Sequence, residues 1–492
     1  MAPPLTFGRR KKRLIPLVSG NDQERTPTTN QRRASPQSLE EPRGRWAELG
    51  LWADGLASEA VSKAEERGGP VLHAGSRHLD WEPSVDVLDS SVEDAFFFGQ
   101  GGTTFLGVGA ACSLETEVPS LRGYHLTGDA HAVRVVGGWG FPAPAGRSRA
   151  GIWRDFPPSR WVVPAVALTS QGGGARVALV VPAAPSSNAA ALAARYRRLL
   201  GVLDARGAPS RSLPRLASSR SLPSEARWLS LAERLVRSIS RGDLKKVVLS
   251  RSVALRFAGV VPPSAVVERL ASLNPGATTF AVKRRGAVFL GATPESLFTA
   301  KGGRVEVDCL AASSSRSDDA ASDDLLGEQL LGDRKSGTEH RLVVQAAVAA
   351  LSPMSSTLEA PRSPVLKKLA TIQHLYTPLR ATLLKGVDAW AVARALWPNP
   401  AIAGEPREGA VRWIQSSEEL DRGWFSGVVG VVDAYGGEAS LAVGIRSGIV
   451  RGRDATIYAG VGVVEGSEPR LELEETGWKL AVMRRALGLE GG

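Results

Sequence analysis

The sequence predicts an α+β protein with large mixed or antiparallel sheets. Short apolar runs recur between glycine-rich turns, as buried strands do. Segments of helical period stand among them, Glu225–Ser240 being strongly amphipathic. The two kinds of segment alternate without a strict βαβ rhythm, which argues against a parallel α/β sheet. No short-period repeat stands out.

Along the chain, order is expected to begin near Trp46. Trp46–Arg67 has helical spacing through Leu49, Leu51, Leu56, Ala60 and Ala64. Phe96–Phe98, Thr104–Ala111, Ala132–Val136, Trp161–Leu168 and Val177–Ala184 read as strands, with Gly99–Gly102 and Gly137-Gly138 as turns. Ala189–Leu203 reads as a helix. A Ser/Arg/Pro-rich link follows at 207–224. Beyond it, helices are expected at Glu225–Ser240, Ala265–Leu273, Asp324–Leu351 and Ala389–Leu396, with a last one from Pro469 to about Leu487. Strands are expected at Lys246–Phe257, Thr278–Val282, Ala287–Gly291, Phe425–Tyr435, Ala439–Ile445 and Ala455–Val464. The expected organisation is a basic, disordered tail at 1–43, an N-terminal part at 44–206, the link, and a catalytic part at 225–490.

Composition narrows the function. The chain has 492 residues, 43% hydrophobic and 23% charged, in the ordinary globular range. No apolar run approaches the ~20 residues that span a bilayer. The tail lacks the apolar core of a secretory signal. The two cysteines, Cys112 and Cys309, make no disulfide framework, which fits a reducing, cytoplasmic setting. The net charge of +11 raises nucleic acid as a partner. However, residues 1–33 hold eight Lys/Arg against Asp22 and Glu24. More than half of the excess therefore sits in the tail, and no nucleic-acid motif supports that role.

Five blocks in the C-terminal half carry chemistry. Lys246 opens the strand Lys246-Val247-Val248-Leu249-Ser250-Arg251, either as an edge-strand lysine or as a base facing a pocket. In Gly291-Ala292-Thr293-Pro294-Glu295, Glu295 is either a solvated turn residue or an acid with a raised pKa. Glu339-His340 lies inside a helix. Ile445-Arg446 adds a cation. In the tail Ser467-Glu468-Pro469, Glu472 and Glu475 share a helix face with Lys479 four residues beyond, either as a surface ion pair or as carboxylates for a hard divalent ion. The strand Tyr458-Ala459-Gly460-Val461-Gly462 offers close packing or backbone access to a substrate.

Taken together the blocks resemble the chorismate-utilising enzymes, which make isochorismate, salicylate, anthranilate or aminodeoxychorismate. The resemblance covers about 90–485. It is reinforced by Ile372-Gln373-His374-Leu375, by Pro398-Asn399-Pro400-Ala401-Ile402 with Gly404-Glu405-Pro406, and by Asp421-Arg422-Gly423-Trp424-Phe425-Ser426-Gly427. Gly137-Gly138-Trp139 and Trp153…Phe156 fit its weaker N-terminal pattern. The resemblance implies one α+β domain with two large antiparallel sheets flanked by helices. It implies Mg²⁺ held by Glu339 and Glu475 with Glu472 close by, and chorismate as the small-molecule partner of a monomer. Arg446 and Lys479 would hold a carboxylate, His374 would sit beside the ring, Ala401 and Ile402 would line it, and Gly460 and Ala312 would offer backbone.

Within such a family the nucleophile sets the product. The segment Cys309-Leu310-Ala311-Ala312-Ser313 has no lysine, where the makers of 4-amino products carry one. Lys246 with Glu295 therefore resembles the water-adding subgroup, with Lys246 as base and Glu295 as acid. That implies isochorismate synthesis, serving menaquinone. A salicylate synthase, or a weakened homologue that only binds, are the alternatives. The chain departs from the pattern at Ala311-Ala312-Ser313-Ser314-Ser315-Arg316-Ser317, where Ala-Gly-Thr/Ser and Arg-Pro-Arg-Gly are usual. It departs again at Lys335-Ser336, usually Lys-Asp, and at Trp397-Pro398-Asn399-Pro400, usually His-Pro-Thr-Pro.

Overall fold

Lys246–Phe257 is a strand buried on both faces for most of its length, although its neighbours are antiparallel. It pairs with Asp454–Val464 over eleven positions, from Lys246↔Val464 to Arg256↔Asp454. The helices Glu225–Ser240 and Pro469–Ala486 pack on this pair, so its apolar run has no solvent face. The computed structural model describes residues 45–80, 84–116, 119–143, 151–204, 212–368 and 372–489. All lie in one compact unit, Glu40–Gly492. The expected disordered tail falls outside the described residues.

The strands form two arms of one hydrogen-bonded network. One arm runs in space from His125–Gly128 through Val71–Leu79, Gly174–Ala183, Ser159–Gln171, Thr103–Leu114 and Asp94–Gln100. It continues through Thr278–Arg284, Ala287–Thr293, Ser447–Arg451 and Asp454–Val464 to Lys246–Phe257. The other runs through Arg134–Trp139, Val428–Asp433, Ala439–Val443, Ser296–Lys301, Arg304–Ser315 and Ile372–Leu383. They meet on one strand. The start of Ser159–Gln171 pairs with Arg134–Trp139, and its later part pairs with Gly174–Ala183 along the same edge. Among the described residues only Val71–Leu79 with His125–Gly128 is parallel. The two expected sheets are these two arms.

An aromatic cluster fills the space between them. The Trp153 ring lies 5.4 Å from both Phe156 and Phe289, and its Nε1–H donates to the Tyr458 hydroxyl at 2.7 Å. The indole thus buries its area without leaving its N–H unmet. A buried ion pair ties the far side together. Arg422 donates through Nε to Glu418 at 2.7 Å and through its other nitrogens to the Ile402 and Val248 carbonyls at 3.0 and 2.7 Å. Glu418 in turn accepts from the Ser250 N–H at 2.8 Å. Both charges are met by several bonds, as burial requires.

Four expectations change. The turn expected at Gly137-Gly138 lies within the strand Arg134–Trp139, where both glycines pair with Val428–Asp433. The single helix expected at Asp324–Leu351 is two, Ala320–Gly332 and Arg334–Leu351. Asp333 between them is extended and accepts from the Ser336 N–H at 2.7 Å, capping the second helix. The link at 207–224 contains an edge strand, Leu216–Leu222, paired with the outer half of Lys246–Phe257. Its residues are mostly exposed, so it shows no buried alternation. The divergent segment at 311–317 begins inside the strand Arg304–Ser315, with a bulge between Ala311 and Ser313, rather than forming a loop. No described helix is long and apolar enough to cross a membrane.

Candidate active site

One cavity lies where the two arms face the final helix. Ten of the twelve residues singled out from the sequence line it: Glu295, Ala312, Glu339, His374, Ala401, Ile402, Arg446, Gly460, Glu475 and Lys479. The other two stand directly behind. Lys246 is fully buried with Nζ 2.7 Å from Glu339 Oε1, and buried Glu472 pairs with Lys335.

The site depends on local fold. Glu339 and His340 are adjacent on the helix Arg334–Leu351, so they project differently. Glu339 faces the cavity, whereas buried His340 meets Thr377 Oγ1 at 2.8 Å. Burial lowers His340 to about 4, so it serves as a neutral strut to the strand Ile372–Leu383. Gly462 lets Lys246 reach Glu339. A Cβ there would lie 2.3 Å from Glu339 Oε1 and 2.7 Å from Lys246 Cε. The glycine strand therefore makes room for an ion pair, as well as packing closely on its neighbour.

Backbone strain collects around this cavity. Among the described residues four non-glycines have positive φ, and three of them, Ala312 (56°), Ser426 (61°) and Arg446 (49°), line it. Such conformations cost of order 1–3 kcal/mol each and persist where the surroundings fix them. Arg446 is also buried and makes no ion pair within 4 Å among the described residues. Burial pushes it down to about 10, against the pull of Glu475 and Glu295, so it stays charged at neutral pH. A buried guanidinium without a bound carboxylate is a receptor for an anion.

The acid–base groups are set apart by their surroundings. Burial pushes Glu295 up to about 7. The Asn399 amide, which donates to its Oε1 at 3.1 Å, and the charges of Lys246, Arg446 and Lys479 all oppose that rise. Burial also works against ionisation of Glu339, but Lys246, Lys479 and Lys335 outweigh it and hold Glu339 below the usual range. Glu472 is raised by burial, which Lys335 only partly offsets. Burial, helped by Arg446 and Lys479, lowers His374 to about 3. Its Nδ1 contacts the Ala312 carbonyl at 3.3 Å and Ser313 Oγ at 3.0 Å. A carbonyl can only accept, which puts the proton on Nδ1 and leaves Nε2 a bare acceptor without a partner among the described residues.

Glu339, Glu472 and Glu475 form a set of hard oxygen donors suited in kind to Mg²⁺. Each is held by its own ammonium: Lys246, Lys335 and Lys479. Among the described residues no three carboxylate, imidazole or thiol groups already converge on one point. The donors fit the ion chemically, and the lysines are its competitors. Lys479 also donates to the Gly460 carbonyl at 3.1 Å, so that backbone is engaged by a cation.

Sequence reasoning missed several participants. Asn399 was noted only within a recognised block and as a departure in it, yet it bonds Glu295. Lys335 was noted only as the neighbour of the departing Ser336, yet it neutralises Glu472. Ser313 steadies His374, and Phe425 and Ser426 line the cavity. Their signal was their place within recognised blocks.

Comparison with known proteins agrees with this geometry. The sequence model of the family described as chorismate binding enzyme matches residues 121–488. The salicylate biosynthesis isochorismate synthase of Pseudomonas aeruginosa is 33% identical over 456 residues, 89% of this chain and 94% of that protein. Isochorismate synthase MenF of Bacillus subtilis is 36% identical over 263 residues, 54% of this chain and 56% of that protein. Among solved structures, MenF, the menaquinone-specific isochorismate synthase of Escherichia coli, matches with a TM-score of 0.74 at 23% identity, over 89% of this chain and 100% of that one. With its cavity assembled from the same blocks, the chain belongs to the chorismate-binding enzyme family and stands close to its isochorismate synthases.

Proposed function

We propose that this chain converts chorismate to isochorismate. The observation that carries the reading is a buried carboxyl, Glu295, pushed up to about 7 in a cavity backed by a fully buried lysine, Lys246. A carboxyl driven toward its neutral form beside a buried lysine marks acid–base chemistry. Leu310, Ala311, Ala312 and Ser313 line the cavity and bring no lysine, which favours water over an amine as nucleophile.

Arg446 and Lys479 bind the substrate's carboxylates, and His374 lies beside its ring. Lys246 must first lose to solvent the proton of its ion pair with Glu339; as the free amine it then takes a proton from water while the water oxygen bonds to C2. The ring double bonds shift, the C4–O bond breaks, and Glu295 gives its proton to the departing hydroxyl. One water enters and one leaves, so the step is an isomerisation. Glu339 and Glu475, with Glu472 behind, are the residues that would hold Mg²⁺. The ion, when bound, supplies charge neutralisation at a substrate carboxylate.

The test is incubation with chorismate and Mg²⁺ followed by chromatography of the products. Isochorismate should accumulate without salicylate or pyruvate. Pyruvate release would make the chain a salicylate synthase instead, and chorismate binding without turnover would make it a binding protein. Lys246→Ala should lower turnover by at least about a hundredfold while the thermal transition persists. Full activity in that variant would sink the assignment of the base.

A further inference from the structure

Asn399 holds a position that fixes the chemistry of a neighbouring group. Its backbone carbonyl accepts from the Ile402 and Ala403 N–H groups at 3.2 and 3.0 Å, which anchors the residue. Its side-chain Oδ1 accepts from the Ala401 N–H at 2.9 Å. That bond settles which way the amide points, because only an oxygen accepts from a backbone N–H. The remaining end, Nδ2, is a pure donor and lies 3.1 Å from Glu295 Oε1. A carbonyl oxygen is the better acceptor for that N–H than a hydroxyl oxygen, so the amide favours the neutral acid with Oε1 as its carbonyl.

We propose that Asn399 is the positioning residue of Glu295: its amide N–H occupies Oε1 and assigns the transferable proton to Oε2. The proposal rests on the reading of Glu295 as the acid. It adds that the proton's location is set by a chain of two hydrogen bonds, Ala401 N–H to Asn399 and Asn399 to Glu295. The same donor favours the ionised carboxyl, and so restrains the rise that burial imposes. Three cations face Glu295 from other elements: Lys246 at the start of its strand, Arg446 before Ser447–Arg451, and Lys479 on the final helix. Cys309, on Arg304–Ser315, is a thiol pushed up to about 12 by burial and by Glu295, so it stays neutral. None of these four is altered by a change at position 399.

Two substitutions separate positioning from support. Asn399→Asp keeps an oxygen for the Ala401 N–H, removes the donor to Glu295 and adds a carboxylate beside it, so that Asn399→Leu is the variant that isolates loss of the donor from added charge. Asn399→Leu removes both bonds at similar volume. The measurements are kcat and KM for chorismate against pH, with the Glu295 carboxyl titrated in ligand-free Asn399→Leu by infrared difference spectroscopy. Glu295→Gln identifies its band. Asn399→Asp should move the alkaline limb of kcat/KM upward by about one pH unit or more. Its kcat should fall about tenfold, with KM changing less than about threefold. The infrared titration of Asn399→Leu should shift upward as well, whether or not that variant turns over. A purely structural residue gives the opposite pattern: Asn399→Asp benign, Asn399→Leu unstable, and the Glu295 titration unmoved. That pattern overturns the proposal. If Glu295→Gln itself turns over normally, the reading of Glu295 as the acid has failed; if it is inactive and neither profile shifts, only the role of Asn399 has.

Discussion

Glu295 sits between opposing influences. Removal from water drives its carboxyl toward the neutral form, and an amide and three cations pull the other way, leaving it near neutrality at about 7. The active form is the protonated one. Activity governed by Glu295 is therefore present at low pH and lost as pH rises through about 7, and kcat/KM, which reports the free enzyme, is the quantity that follows it. Glu295→Gln should remove that limb and lower kcat by about a hundredfold or more; an unchanged alkaline limb in this variant would assign it to another group. At this scale the sequence was informative about identity and less so about partners. Lys246, Glu295, Glu339 and Arg446 could be picked out, and so could the helix pair of Lys479 with Glu475, four residues apart. The pairings of Lys246 with Glu339 and of Lys335 with Glu472 could not, because they join residues more than ninety positions apart and follow from the arrangement of the arms.

The element most affected by a single residue is the strand Arg304–Ser315. Ala312 takes a left-handed conformation, φ 56°, at a bulge that turns its carbonyl to His374. A methyl there carries a steric cost that glycine avoids. Ala312→Gly should stabilise the fold by about 0.5–1 kcal/mol in urea titration, provided the gain in unfolded-state freedom does not cancel it; a destabilised variant would mean that the methyl's packing against Leu330 and Leu375 outweighs the strain. The helices Glu225–Ser240 and Ala389–Leu396 match to the residue, because their apolar period is strong, whereas Arg407–Ser417 was missed. Strands such as Val71–Leu79, Ser296–Lys301 and Ile372–Leu383 escaped. They are partly polar and gain their order from neighbours distant in sequence. The break at Asp333 escaped because the cap alone marks it, through the bond that Asp333 accepts from the Ser336 N–H.

At the level of the whole molecule, the α+β class and the presence of two large sheets were legible. Their fusion through Ser159–Gln171 was not, since nothing in a strand's composition says that one of its edges serves two partners. This fusion, with the aromatic filling between the arms, lets residues from four corners of the chain close around one cavity.

The lysine partner of each cavity glutamate has a consequence for how substrate arrives. Lys246, Lys335 and Lys479 cancel Glu339, Glu472 and Glu475 pair by pair, and Arg446 is left over. From a Debye length away, about 8–10 Å at ordinary ionic strength, such a set resembles a single charge rather than four. Long-range steering of a dianion should therefore be weak. Without added divalent ion, the stopped-flow association rate of chorismate should fall by less than about threefold between 20 mM and 200 mM KCl. A tenfold fall would mean that the internal salts open before the substrate docks. The protein would then present its cations outward, and its resting electrostatic field would be that of an open trap instead of a closed ledger of charge.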